Sequence, residues 1–499
     1  MKKNILLIIA IFVCASSFAQ GEIDALRMSR NDLSGTARGQ AMAGAFGALG
    51  GDATGIAINP GGLGVYSSSE ISATMDLTST GIQTKMGGIT NSQNRFNFRF
   101  DNISYIGSLQ TGNDQLPIIN FGFTYNNLKN FDRNYYAAGK GMKTSLTDYI
   151  EDISAGTDVF HGLGEMAWET YLLQDDGLSI LNFGETVDPQ LRVTERGYID
   201  SYDFSAGSNF SNTLYFGATI SLTDLYYSMF SSYGEQFQDG GNLALNNNLQ
   251  TKGSGVQLRL GFIWRPTDFL RMGASFHSPT WYSLTDYYQG RMSSELEGDK
   301  HSFRLPEDMG KFDYDFQTPY SLTYSIAGVF GGKAIASLDY EMKDYTSMKF
   351  HNIYVEDDIE GQNSYIQTDF KMASTLRLGL EYRFTPQVSG RLGYAWMQNP
   401  YEKSFKNNEV EVMTVGTIPH YTIEGDKHYL TAGLGFRIAP NFYIDLAFVY
   451  NTQQDDLYFF PKMETDRPGN TTDFVAYFPE KVAFKNNTYK GLVTVGYRF

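Results

Sequence analysis

The 499-residue chain has a single cysteine, Cys14, and it stands inside an apolar N-terminal run. Removal of that run leaves no disulfide, thiol nucleophile or cysteine-ligated metal to consider. Positive charge is also scarce. The chain has 39 Lys and Arg against 55 Asp and Glu, a formal net charge of −16, and this excludes nucleic acid as a partner because phosphate neutralisation needs a cationic surplus. The six histidines form no H-E-x-x-H pair, and G-x-S-x-G, G-x-G-x-x-G and G-K-[ST] are all missing, so no enzyme, metal or cofactor is expected. After residue 20 no apolar run reaches the ~18 residues that a membrane-crossing helix requires.

Aromatic residues, at 15%, and glycine, at 51 residues, are plentiful instead, a composition suited to pleated strands and tight turns. Lys2 and Lys3, the apolar run Ile5 to Val13 and Ser17-Phe18-Ala19 read as an export signal over residues 1–19, with the mature chain beginning at Gln20. The rest of the chain alternates. Val256, Leu258, Leu260, Phe262 and Trp264 share one face of a strand, while Gln257, Arg259 and Gly261 share the other. The pattern returns at Leu376 to Phe384, Leu430 to Ile438, Phe442 to Tyr450 and Val493 to Phe499. Period two with one oily face suits a sandwich as well as a membrane barrel. Loop lengths favour the barrel. Connections at 265–268, 331–333, 385–387 and 439–441 are short, whereas those near 279–318, 348–372, 399–426 and 453–488 are long, the asymmetry of periplasmic turns and outer loops. Trp264, Phe384, Trp396, Tyr450 and Phe499 fall at strand ends, where interfacial girdles form.

The expected fold is therefore all-β, a 14-stranded antiparallel transmembrane β-barrel in the bacterial outer membrane. Its strands are centred near residues 74, 105, 122, 216, 230, 259, 273, 325, 340, 379, 393, 433, 447 and 494. Residues 128–210 are too long for a hairpin loop, and Leu146 to Leu173 carries the spacing of short amphipathic helices at the outer rim. Inward arginines are expected at 259, 271, 377, 383, 391, 437 and 498, among the carboxylates Asp339, Glu341, Glu381 and Asp445.

Residues 35–64 are rich in Gly and Ala yet include Phe46, Leu49, Ile56, Ile58 and Leu63. Small residues allow close backbone approach and the apolar ones need cover, so this stretch reads as a plug inside the lumen. Gly35-Thr36-Ala37-Arg38, Met42-Ala43-Gly44-Ala45, Gly50-Gly51-Asp52-Ala53 and Asn59-Pro60 before the first strand resemble the hatch of FadL-type outer-membrane long-chain fatty acid transporters. Family hatches commonly read Asn-Pro-Ala where this chain has Asn59-Pro60-Gly61.

The resemblance implies a hatch over residues 20–68 and a barrel over 69–499 with long extracellular loops. It also implies passive uptake of long-chain fatty acids or other hydrophobic small molecules, with lateral exit through the wall. Phe46, Asp52, Asn59, Pro60 and Gly61 are the implied gate, and Met42, Arg377 and Arg391 the candidate ligand contacts. Expected partners are a hydrophobic small molecule, outer-membrane lipid and, through C-terminal Phe499, the barrel-assembly machinery; the protein is expected to be a monomer. The competing reading is a structural or adhesive surface barrel whose loops bind a partner.

Overall fold

The computed structural model describes residues 21–154, 160–174, 176–182, 185–238, 240–351, 356–410, 412–414, 416–465, 475–477 and 479–499. The export signal expected over residues 1–19 lies outside them.

One closed antiparallel wall dominates the chain. Nineteen hydrogen-bonded segments make fourteen wall strands, five of them interrupted. They are β1 (Glu70–Met86), β2 (Ile89–Gln110), β3 (Ile118–Asn130, then Arg133–Ala138), β4 (Val187–Phe210), β5 (Leu214–Phe237), β6 (Asn242–Trp264) and β7 (Leu270–His277, then Trp281–Leu296). The second half comprises β8 (Asp299–Gln317, then Ser321–Phe330), β9 (Ala334–Asp344, then Lys349–His351), β10 (Met372–Arg383), β11 (Val388–Met397), β12 (Tyr421–Ile423, then Lys427–Ala439), β13 (Phe442–Tyr458) and β14 (Val482–Arg498). The wall closes where β1 pairs with β14, from Glu70↔Arg498 to Lys85↔Ala483. Ser69 and Phe499 exchange backbone hydrogen bonds of 3.0 Å at the seam.

The outer face of the lower wall is oily. Val256, Leu258, Leu260, Phe262 and Trp264 are all 40% exposed or more, and Phe384 and Phe499 are exposed at the rim of short turns. The strands outrun the bilayer. β4 and β5 each have 24 residues, against the ~9–11 that cross a membrane, so more than half of each stands above it.

That length corrects two sequence expectations. The centres at 216 and 230 belong to one strand, β5, and the strand β4 was missed. The alternation changes phase along each. On β5, Phe216, Ile220 and Leu222 face outward, whereas Leu225, Tyr227, Met229 and Tyr233 are buried inward. A pattern that flips face reads as two short strands. The segment near 279–318 is likewise no irregular loop, because Asp299–Leu305 and Gly310–Gln317 pair with Trp281–Leu296 across a tight turn at Glu297-Gly298. Outer connections are therefore not uniformly long, since β1 and β2 also join through Gly87-Gly88. The expected helices between β3 and β4 are present at Leu146–Ser154 and Leu163–Glu169.

Candidate functional site

The chain before β1 fills the lumen. It holds the helices α1 (Glu22–Ser29), α2 (Ala37–Ala41) and α3 (Ala53–Ile58) and the 3-10 turn Pro60–Val65, of which all but α1 begin on a side-chain cap. The Thr36 hydroxyl accepts from the Gly39 N–H at 3.0 Å, Asp52 Oδ1 from the Thr54 N–H at 3.0 Å, and Asn59 Oδ1 from the Gly61 N–H at 3.0 Å. Each satisfies a backbone donor that a helix start leaves unpaired, and Pro60 occupies a position that needs no donor.

Glycines in the wall let this segment press against it. A Cβ on Gly217 would meet the Pro60 carbonyl oxygen at 2.2 Å, and one on Gly393 would meet the Ala43 nitrogen at 2.5 Å. Gly61 answers from the other side, where a Cβ would stand 2.7 Å from the Phe262 Cα. Asn59 Nδ2 donates to the Gly47 carbonyl at 2.6 Å and to the Phe262 carbonyl at 2.9 Å, tying the segment to itself and to β6. Asp52 also accepts from the Thr36 hydroxyl at 2.7 Å. Phe46 is fully buried beneath the Arg38 guanidinium, whose Cζ lies 5.1 Å from the ring centroid.

Between this segment and the wall lies a mid-lumen cavity of about 160 Å³, bordered by Arg30, His277, Glu341, Lys343, Arg377 and Tyr429 among others. A second of about 90 Å³ shares Asp32 and Tyr429 with it and adds Thr78, Asn127 and Lys129. Cations clamp the chain here. Lys427 Nζ donates to Asp32 Oδ1 at 2.9 Å, Lys129 Nζ to the Arg27 carbonyl at 2.6 Å, and Lys343 Nζ to the Ser29 carbonyl at 2.6 Å. Burial alone would raise the Asp32 carboxyl, but Lys427, Lys129 and Lys490 hold it below its ordinary value. Higher up, burial pushes the Glu22 carboxyl to about 8, although Oε1 accepts from the Met413 N–H at 2.8 Å.

The wall beside the second cavity is incomplete. Pairing of β2 with β3 runs from Gln110↔Ile118 to Asn102↔Asn126 and stops, while pairing of β2 with β1 continues to Met86↔Ile89. β3 turns away at an irregularity between Asn127 and Lys129 and pairs onward with β4 alone. Its second piece passes behind β1, where the Thr84 hydroxyl donates to the Tyr136 carbonyl at 2.6 Å. From Ile89 to Asp101, β2 therefore has no hydrogen-bonded strand on that side among the described residues, although Arg133–Ala138 lies against it and Arg99 pairs with Asp132 at 3.5 Å. Asp101 is the extra residue of a bulge opposite Thr74 and Met75, and Gln40 of α2 donates to its carboxylate. Arg95 Nε and Asn97 Nδ2, on the same stretch, carry no hydrogen bond within the protein.

A family model described as outer membrane protein transport protein (OMPP1/FadL/TodX) matches residues 198–471. The chain belongs to that family. Solved structures with the same fold include a FadL homologue of Pseudomonas aeruginosa, at 11% identity and a TM-score of 0.55, covering 94% of this chain and 100% of that one. The toluene transporter TodX of P. putida aligns at 14% identity and a TM-score of 0.51, covering 94% and 99%. No curated protein matches the sequence. As a member of this transport family the protein resides in the outer membrane, and the short-turn rim is its periplasmic end.

Within this OMPP1/FadL/TodX barrel the sequence-derived residues separate. Arg377 borders the mid-lumen cavity, pairs with Glu341 and keeps Nη1 without a hydrogen bond. Arg391 lies lower, in a polar vestibule of about 150 Å³ with Arg383, Arg437 and Arg498, where Nε donates to Glu381 at 2.7 Å and Nη1 to Asp445 at 2.5 Å. Met42 is fully buried with Phe46 and Leu49; its neighbours Ala43 and Gly44 border the cavity instead. Arg30, Lys129, Lys343, Gln40 and Asp101 escaped sequence reasoning. They lie far apart in the chain and in no motif, and only the lumen brings them together.

Proposed function

We propose that the protein carries out passive uptake of hydrophobic small molecules, long-chain fatty acids among them, across the outer membrane. The supporting relatives include the toluene transporter of P. putida, and no covalent step is needed. Ligand caught by the outer loops descends to the cavity at Arg30, Lys343 and Arg377, moves past Asp32 and Tyr429 into the cavity beside β1 and β3, and leaves sideways into the bilayer between β2 and β3. Residues 20–68 act as the hatch, with Phe46, Asp52, Asn59, Pro60 and Gly61 holding its seat.

The observation that carries the reading is the unpaired edge of β2 at Ile89–Asp101 next to a lumenal cavity. An open sheet edge at bilayer depth is tolerated only where it lines a cavity or protein covers it. A fatty acid suits the path because its carboxylate pairs with guanidinium and ammonium groups while its chain needs only apolar contact.

The bulge at Asp101 offers a direct test. The mature chain lacks cysteine, so Gln40→Cys with Asp101→Cys, bridged by a short bis-thiol reagent, ties the hatch to the edge of the gap. Uptake of labelled fatty acid should fall severalfold on bridging and recover when a cleavable bridge is reduced; unchanged uptake would overturn the lateral route. Arg377→Gln should lower fatty acid uptake more than toluene uptake, and equal losses would remove the carboxylate preference.

A further inference from the structure

The periplasmic vestibule lies between the hatch and the short-turn rim, off the uptake path. Its volume is about 150 Å³, and Arg38, Arg383, Arg391, Arg437 and Arg498 border it. Arg38 belongs to α2 of the hatch; the others come from β10, β11, β12 and β14. Tyr382, Phe384 and Ile438 turn to the lipid side, 49%, 62% and 63% exposed, so the alternation of the wall points Arg383 and Arg437 into the lumen.

Strand register brings three guanidinium groups together here. Arg383 of β10 stands opposite Ser389 of β11, and Ser389 stands opposite Gly435 of β12. Arg391 and Arg437 follow two residues farther along from Ser389 and Gly435, on the same face of the wall. Gly435 leaves the room they need, because a Cβ there would meet Arg391 Nη2 at 2.5 Å.

The carboxylates nearby are already engaged. Glu381 accepts from Arg38 at 2.9 Å and from Arg391 at 2.7 Å, and Asp445 accepts from Arg391. Asp52 accepts from the Thr36 hydroxyl and the Thr54 N–H, and Glu70 holds Arg498 at 2.6 Å. Arg383 and Arg437 make no ion pair or side-chain hydrogen bond among the described residues. The same is true of the side chains of Gln387, Ser389 and Asn441, which border the vestibule with them. In a chain of net charge −16, two unmatched guanidinium forks thus share one polar concavity with three unmatched neutral side chains.

We propose that the vestibule binds a small oxyanion of the phosphate class from the periplasm, held between Arg383 and Arg437 with Ser389 as a neutral donor. Each guanidinium fork matches two oxygens of such an anion, and a cleft with a local excess of one charge concentrates counter-ions from solution. The lining is mostly charged and polar, which suits a hydrophilic anion and gives an acyl chain no slot. The site is separate from the uptake path, so its failure leaves the transport reading untouched.

Isothermal titration of the full-length protein in detergent with inorganic phosphate, in a chloride buffer, tests it. The wild type should bind phosphate saturably. Arg383→Gln with Arg437→Gln should weaken binding at least about tenfold, the scale set by losing hydrogen bonds from charged donors. Lys300→Gln with Lys311→Gln, which removes the same charge from the exposed outer part of β8, should leave binding unchanged. Neither octanoate nor phosphatidylglycerol added to the micelle should compete with phosphate. Heat-modifiable gel mobility checks that each variant is folded. A wild type without saturable binding, an arginine double variant that binds as the wild type does, or equal losses in the two double variants overturns the proposal; competition by octanoate or by the lipid overturns the assignment to a free oxyanion.

Discussion

On β5, Ile220 turns its side chain to lipid and Ser221 faces the lumen, yet a few residues farther along Leu225 is buried inside and Tyr226 lies outside. The lower barrel is inverted, oily without and polar within, whereas the upper barrel has the ordinary arrangement of a water-soluble domain. There Leu245, Met292, Phe316, Phe350, Phe370 and Phe405 form one large apolar core under the loops. The lower lumen holds buried Asp203, Arg259, Asp339 and Arg391 instead. A strand therefore has no intrinsic inner face. Solvent outside decides it, and the change of solvent along one strand reverses the pattern.

The sharpest way to break the contrast is to add volume where the lower lumen has none. Gly393→Val should unseat the hatch, because its Cβ meets backbone of Ala43 at 2.5 Å, while Gly491→Val, with open space around it, should not. Liposome swelling in small sugars should rise by about an order of magnitude for the first variant only. Next in size is truncation in the upper core. Leu245→Ala, at a site with 0% exposure, should cost ~2–5 kcal/mol of stability; Leu260→Ala, 44% exposed to lipid, should cost well under half of that in the same denaturation experiment. Equal losses would mean that the two halves do not differ as described.

Asn59→Ala should come third. Removing its two donated bonds leaves the Gly47 and Phe262 carbonyls unmatched, at ~1–3 kcal/mol, and hydrogen exchange over residues 47–64 should accelerate while the wall stays protected. The smallest effect concerns Glu22. Its carboxyl has a folded value of about 8 against an ordinary 4.5, so its support for α1 is complete below about 4.5 and is lost as pH rises through about 8. Protection of the amides in residues 22–29, taken relative to their intrinsic exchange, should therefore fall between about pH 4.5 and 8 in the wild type and stay flat in Glu22→Gln.

Much of the lower wall is legible in the sequence. The outward sets Val256 to Trp264 and Leu430 to Ile438 are regular because lipid imposes a single rule over the whole lower wall. β4 was illegible because Val187, Leu191 and Val193 point inward while Phe204 and Phe210 point outward, so no single phase runs through it. The pairing of Arg391 with Glu381 and Asp445 could be anticipated as a lattice, but its depth in the vestibule could not. The Gln40 to Asp101 contact, between a hatch helix and a bulge, has no sequence signature at all.

The class of protein is written in the sequence: a wall of alternating strands running to Phe499, preceded by a Gly-rich segment with its own caps at Thr36, Asp52 and Asn59. Those features are local, written in composition and in spacing of one to four residues. The tertiary structure alone decided where the wall stays open, which cations gather around Asp32, and which glycines receive the hatch, because each depends on residues hundreds of positions apart meeting only when the barrel closes.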